Sequence, residues 1–239
     1  MLPNRKPLAL VAMSGGVDSS VAAALLVRRG IDVVGVTMQI WQESQTDDRH
    51  AGCCSLGAVE DARRVARTLG IDHYVFNLRE EFKAAVIDDF VSEYVAGRTP
   101  NPCVKCNRHV KFEVLREKAK EIGADYLVTG HYARIRKRSS GYRLLAARAT
   151  DKDQSYVLHM LAGDDLKEIR FPMGEMASKA HARALAADLG LHLANKPDSQ
   201  EICFVSEAGG YAEFLRERRP DAFAEGPILD SSGREIGTH

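Results

Sequence analysis

No apolar stretch in this sequence approaches the roughly 18 residues that a membrane-crossing helix needs, so no transmembrane segment is expected. Met1 to Pro7 carries no apolar core of the secretory kind, and the expected compartment is the cytoplasm. Net charge is missing too, with 33 Lys and Arg against 33 Asp and Glu. That balance neither supports nor excludes a nucleic-acid partner, because local patches matter more than the sum. There is no Gly-x-x-x-x-Gly-Lys-Ser/Thr segment, which excludes a Walker loop. Internal repeats and low-complexity segments are absent. The five cysteines, at positions 53, 54, 103, 106 and 203, are an odd number. In a cytosolic chain they suggest metal or redox chemistry more than a disulfide framework.

What is present is an alternation of two periodicities. Leu8 to Met13 is a continuous apolar run, as in a strand buried on both faces. A Ser/Gly loop follows, then an Ala/Leu-rich helix from Val17 to Arg29 that stops at Gly30. Val33 to Met38 and Tyr74 to Phe76 read as further strands. Val59 to Leu69 and Phe82 to Tyr94 have helical spacing. Arg98 to Asn107, with two prolines and two cysteines, reads as a loop. Phe112 to Ile122 reads as a helix, and Tyr126 to Val128 as a strand entering Thr129-Gly130-His131. Strands alternating with helices predict an α/β fold with a parallel sheet and right-handed crossovers. The pattern predicts one domain over 1–164 and a small, mainly helical unit over 165–220, with a helix from Ser178 to Leu189. Short strands and turns are expected over 221–239.

Ser14-Gly15-Gly16-Val17-Asp18-Ser19-Ser20 lies directly between the first strand and its helix. Glycines let backbone approach phosphate oxygens without Cβ clashes. Amides at a helix start, aided by its dipole, bind anions. Ser14, Ser19 and Ser20 offer hydroxyl donors, and Asp18 suits the Mg²⁺ side of a nucleotide. Without a Walker lysine, the loop suits holding pyrophosphate as a leaving group, so ATP is expected to be split to AMP and pyrophosphate.

Asn101-Pro102-Cys103-Val104-Lys105-Cys106-Asn107 sets a C-x-x-C just before a helix. The helix start and the nearby Lys105, Arg108 and Lys111 favour a thiolate. A second C-x-x-C or Cys/His pair at zinc spacing is absent. Cys203 follows a polar loop, and Cys53-Cys54 has no assigned chemistry. Arg134, Arg136, Lys137, Arg138 and Arg143 cluster, as do Arg216, Arg218 and Arg219. These clusters read either as solvated surface or as contacts to RNA phosphates.

These pieces, together with Gly52 to Ser55, Lys111-Phe112, Thr129 to Tyr132, Asp151 to Tyr156 and Asp198 to Phe204, resemble one family in order over almost the whole chain. It is the tRNA-specific 2-thiouridylases of the N-type ATP pyrophosphatase (PP-loop) superfamily. The resemblance implies an adenine-nucleotide alpha-hydrolase-like domain, a small central domain, and the start of a truncated β-barrel over 221–239. It implies ATP binding by Ala12, Met13, Ser14, Gly15, Gly16, Val17, Asp18 and Ser19, with Met38 and Gly130 near the adenosine. It implies that Asn101, Pro102 and Cys103 meet the target base, and that His131, Lys152, Asp153 and Gln154 contact the tRNA anticodon stem-loop. The implied reaction adenylates the wobble uridine C2 oxygen and releases pyrophosphate. Sulfur then comes from a persulfide on Cys203, loaded by a persulfide carrier or cysteine desulfurase, with Cys106 as the paired catalytic thiol. Some members carry an acidic residue where Cys103 stands, which leaves the general acid/base open. Cys103, Cys106 and Cys203 could instead ligate a [4Fe–4S] cluster. An NAD- or GMP-synthetase-like amide ligase, or an inactive fragment that binds tRNA and ATP, are the other classes in play.

Overall fold

The computed structural model describes residues 5–41, 56–198, 202–205 and 209–239. The expected features at Cys53-Cys54 and at 199–201 lie outside these residues. The centre is a parallel sheet built from β1 (Leu8–Ala12), β2 (Asp32–Gln39), β3 (Asp72–Asn77), β4 (Tyr126–Val128) and β7 (Ile169–Arg170). Its spatial order is β3-β2-β1-β4-β7. Leu10 pairs with Val34 on one side and Leu127 on the other, so β1 is central. Two antiparallel hairpins lie outside the sheet: β5 (Ala133–Arg138) with β6 (Gly141–Ala146), and β8 (Pro227–Leu229) with β9 (Glu235–Thr238).

Alternation along β1 feeds two separate cores, because successive strand side chains face opposite sides. Ala9 and Val11 enter one apolar cluster together with α1 (Val17–Arg28), α2 (Leu56–Leu69) and α7 (Lys179–Asp188). Leu10, Val36, Leu127 and Ile169 enter the other. There, α3 (Arg79–Phe82) runs through wide, π-type turns into α4 (Asp88–Val95). Also there, α5 (Pro102–Lys105) runs the same way into α6 (Leu115–Glu121), and α8 (Tyr211–Arg218) closes the cluster with Phe214. With both faces covered, the strands need continuous apolar sequence, and β1 supplies it. Among the described residues no helix is long and apolar enough to cross a membrane.

Two expectations change. The segment from Arg98 to Asn107 is not loop throughout, because α5 starts at Pro102. Proline fits the first helical turn, where its missing N–H would have no partner anyway. Asn101 caps it, its side chain accepting from the Val104 amide at 3.3 Å. The sheet also continues past residue 164, since β7 pairs Ile169 with Leu127. Ala182 and Ala186 of α7 pack in the same core as α1, their small side chains allowing close approach. Ser178 caps α7 by accepting from the His181 amide at 3.1 Å.

Candidate functional site

The chain runs outward from β1 to β2 on one side, and β4 lies on the other. In open parallel sheets, ligands bind beyond the strand C-termini where the strand order reverses in this way. Two expected motifs end there. The 14–20 loop leaves β1, and Thr129-Gly130-His131 leaves β4. Gly15 has φ of +66°, and a Cβ on it would lie 2.2 Å from the Ala58 carbonyl oxygen. A Cβ on Gly130 would lie 2.6 Å from the Ser19 amide nitrogen. Both glycines are therefore fixed by close backbone approach. The loop also holds itself. The Ser14 amide donates to Ser19 Oγ at 3.1 Å, and Ser20 Oγ donates to the Gly16 carbonyl at 2.8 Å. Ser20 is fully buried. Its expected role as a phosphate donor is corrected to a loop brace, because the hydroxyl faces its own helix.

One cavity of about 560 Å³ gathers these elements. Its walls include Ala12, Met13, Ser14, Gly15, Gly16, Val17, Asp18, Ser19, Met38 and Gly130. They also include Cys103, His131, Lys152, Asp153 and Gln154, so the residues expected at nucleotide and at RNA share one space. Asn101, Pro102, Cys106 and Cys203 are not among its walls. Cys103 is exposed, Cys106 is buried in the apolar cluster, and Cys203 is half-buried against that cluster. Among the described residues, no three His, Cys, Asp or Glu side chains converge on one metal position. The cysteine set thus does not fit a cluster ligated by Cys103, Cys106 and Cys203 in this arrangement.

Two wall residues, Lys179 and Lys196, had no sequence signal. Lys179, 161 positions from Asp18, places Nζ 2.7 Å from Asp18 Oδ2. The same ammonium lies 2.8 Å from Asp198 Oδ1, which Arg183 also reaches at 3.1 Å. Tyr132 donates its hydroxyl to Asp18 Oδ1 at 3.0 Å. Lys196 donates to the Gly15 carbonyl at 3.0 Å and pairs with Asp61 at 2.7 Å. The fold thus brings two ammonium groups to a loop that has no lysine of its own. Lysines are common in any sequence, and nothing local marked these two.

The charges at the site have clear causes. Burial pushes the Asp198 carboxyl up, but the Lys179 hydrogen bond and the charges of Lys179, Lys152 and Arg183 outweigh it, leaving the pKa lowered. Burial, then the Asp18 charge and hydrogen bond, raises the Tyr132 phenol, so it stays a donor. Burial, then the charge of Lys111, holds His131 well below the ordinary histidine value. Its neutral ring has Nδ1 2.6 Å from Thr129 Oγ1 and packs near Phe112 and Phe171. Magnesium is often held by one or two carboxylates plus substrate phosphates, and Asp18 on the cavity wall has that donor chemistry.

The arginine clusters are largely engaged within the fold. Arg134 donates to the Ala146 carbonyl at 2.8 Å, and Arg136 and Arg148 both pair with Glu175. Arg219 pairs with Asp221 at 2.7 Å, and Arg218 lies 3.8 Å over the Phe214 ring. The expected Asp153 and Gln154 contacts are also partly engaged. Asp153 accepts from the Ala147 amide at 2.7 Å, and Gln154 Oε1 accepts from the Tyr132 amide at 3.0 Å.

Residues 8–207 match the family described as the tRNA methyl transferase HUP domain. A tRNA-specific 2-thiouridylase of Roseiflexus castenholzii is 52% identical over 248 residues, covering 96% of this chain and 66% of its own length. A tRNA-specific 2-thiouridylase of Symbiobacterium thermophilum is 53% identical over 237 residues, covering 96% and 60% respectively. The chain therefore spans less than two thirds of these curated relatives. Among solved structures, a 4-thiouridine synthetase–RNA complex with bound ATP superposes with a TM-score of 0.50 at 18% identity. That match covers 90% of this chain and 51% of the other, and it is a likeness of fold.

Proposed function

The chain belongs to the tRNA-specific 2-thiouridylase family through its tRNA methyl transferase HUP domain, and from that premise we propose that it makes 2-thiouridine at the wobble position of tRNA in the cytoplasm. The observation that carries this is the single cavity joining the pyrophosphate loop to Cys103 and the 151–156 turn. A nucleotide and a nucleobase can react only if they share such a space.

ATP lies along the loop, with its phosphates toward the first turn of α1 and the ammonium groups of Lys179 and Lys196. Asp18 would hold Mg²⁺, which neutralises charge on the leaving pyrophosphate when bound. The uracil, drawn out of its stack, enters beside Cys103. Its C2 oxygen attacks the α-phosphorus, and pyrophosphate leaves. The carbonyl oxygen, a poor leaving group, becomes part of AMP, a good one. The terminal sulfur of a Cys203 persulfide then attacks C2, and AMP departs with the C–O bonding pair. Cys106 attacks Cys203, closing a disulfide and leaving the sulfur on C2. An external thiol reductant reopens the disulfide. Covalent carriage splits one hard step into easier ones. Half-exposure of Cys203 suits loading by a persulfide carrier or cysteine desulfurase. Burial of Cys106 suits protection of the resolving thiol. Neutral His131 would hydrogen-bond RNA or base rather than pair with phosphate. The segment 221–239, as the start of a β-barrel, would support the RNA.

The test uses this chain with ATP, a tRNA anticodon stem-loop and a persulfide donor. The expected products are 2-thiouridine, AMP and pyrophosphate, with Cys106→Ser and Cys203→Ser losing the thionucleoside. Release of ADP, or unchanged product in both variants, rejects the scheme.

A further inference from the structure

The turn from Asp151 to Tyr156 is fastened to the fold on every side except one. The Gln154 amide donates to the Tyr132 carbonyl at 2.8 Å, and the Tyr132 amide returns a bond to Gln154 Oε1 at 3.0 Å. Asp153 takes the Ala147 amide at 2.7 Å and the Ser155 hydroxyl at 2.6 Å. Buried Asn107, next to Cys106, donates to the Val157 carbonyl at 3.2 Å. Val157 and Leu158 are buried. Between these anchors Tyr156 projects, 65% exposed, while still forming part of the cavity wall beside Cys103 and Lys152.

An exposed ring on the wall of a cavity, carried by backbone that is anchored on both sides, is a stacking surface for which the fold has already ordered the main chain. Single-stranded bases are bound in this way, by aromatic faces with cations tracking the backbone. Lys111 and Lys152 line the same cavity. With 65% of it exposed, Tyr156 stands at the open side of the cavity wall that it shares with Cys103. We propose that Tyr156 stacks on the base of the nucleotide next to the target uridine and so holds the unstacked target in place. This rests on the tRNA substrate proposed above. Tyr156 is here a positioning residue, not a group in the chemistry.

The test is an anticodon stem-loop RNA with 2-aminopurine next to the target uridine, titrated with the full chain. The wild-type protein is expected to quench the probe on binding. Tyr156→Phe keeps the quench and the affinity. Tyr156→Ala loses the quench and binds about tenfold more weakly, at the low end of base–aromatic stacking. A merely structural role for Tyr156 would not follow the ring in this way. If Tyr156→Ala binds and quenches like wild type, or wild type binds without quenching, stacking is overturned while the tRNA substrate stands. If wild type does not bind the stem-loop, both fall together.

Discussion

The Lys179 ammonium lies 2.7 Å from Asp18 Oδ2 and also 2.8 Å from Asp198 Oδ1. One cation thus ties the pyrophosphate loop to the segment that leads toward Cys203. Its side chain is only 13% exposed, against 30% and 25% for the two carboxylates, so water screens the contact weakly. A triphosphate arriving at the loop brings negative charge to a place where a cation is already held.

Lys179→Met is therefore expected to lower kcat/KM for ATP by about 100-fold, the scale of a preorganised charge removed from developing anionic charge. Two carboxylates would lose their shared partner. The partial exposure discounts the full buried-pair penalty to about 1–3 kcal/mol of stability. Lys179→Arg should recover stability more than activity, because a planar fork does not replace a compact ammonium between two carboxylates. Pyrophosphate release and thermal unfolding separate the two effects. Wild-type ATP kinetics in Lys179→Met would show that the ammonium has no part in nucleotide use.

His131 gives a pH dependence with a definite sign. Its pKa in the fold is well below the ordinary 6.5, through burial first and the Lys111 charge second. As pH falls below about 6.5 the unfolded chain takes up the proton and the native state does not. Stability is then lost toward acid, by up to about 1.4 kcal/mol per pH unit for one proton, and is level above that window. His73 is also lowered, by burial and the Arg63 charge, and adds the same sign. Urea unfolding of His131→Gln between pH 5 and 8 should show a shallower acid slope, with His73 leaving a residue of it. An unchanged slope would mean that His131 is protonated in the fold.

Much of this was written locally in the sequence, and some could not be. The apolar run at Leu8 to Met13 announces a central parallel strand because both faces of β1 are covered. Gly15 and Gly130 are legible because only close backbone approach demands glycine there. Lys179 and Lys196 are not legible, since their positions depend on long-range packing of α7 and the following turn. The start of α5 at Pro102 was hidden by two prolines and two cysteines, which suit a loop as well as a first helical turn. Strand β7 is only Ile169–Arg170, too short for a period to register. The burial of Cys106 and the half-burial of Cys203 follow from the core that both meet, while exposed Cys103 is in neither apolar cluster, and spacing alone does not carry that.

Phe204 is the anchor of the Ile-Cys-Phe segment. It is 1% exposed, with its ring 4.9 Å from Phe214, 5.1 Å from Phe90, 5.8 Å from Phe82 and 6.1 Å from Trp41. Edge-on and tilted contacts of this kind add to the area buried. Phe204→Ala should cost about 3–5 kcal/mol, the usual range for emptying such a site. Phe204→Leu keeps most of the volume and should cost less than half as much. The neighbouring Cys203 would lose its backing in the alanine variant, so its alkylation should speed up relative to exposed Cys103, read by mass spectrometry in native buffer. In the leucine variant the Cys203 rate should stay near wild type. If Phe204→Ala melts like wild type and Cys203 reacts no faster, the aromatic cluster does not set the position of the thiol, and the half-buried state of Cys203 must come from elsewhere in the fold.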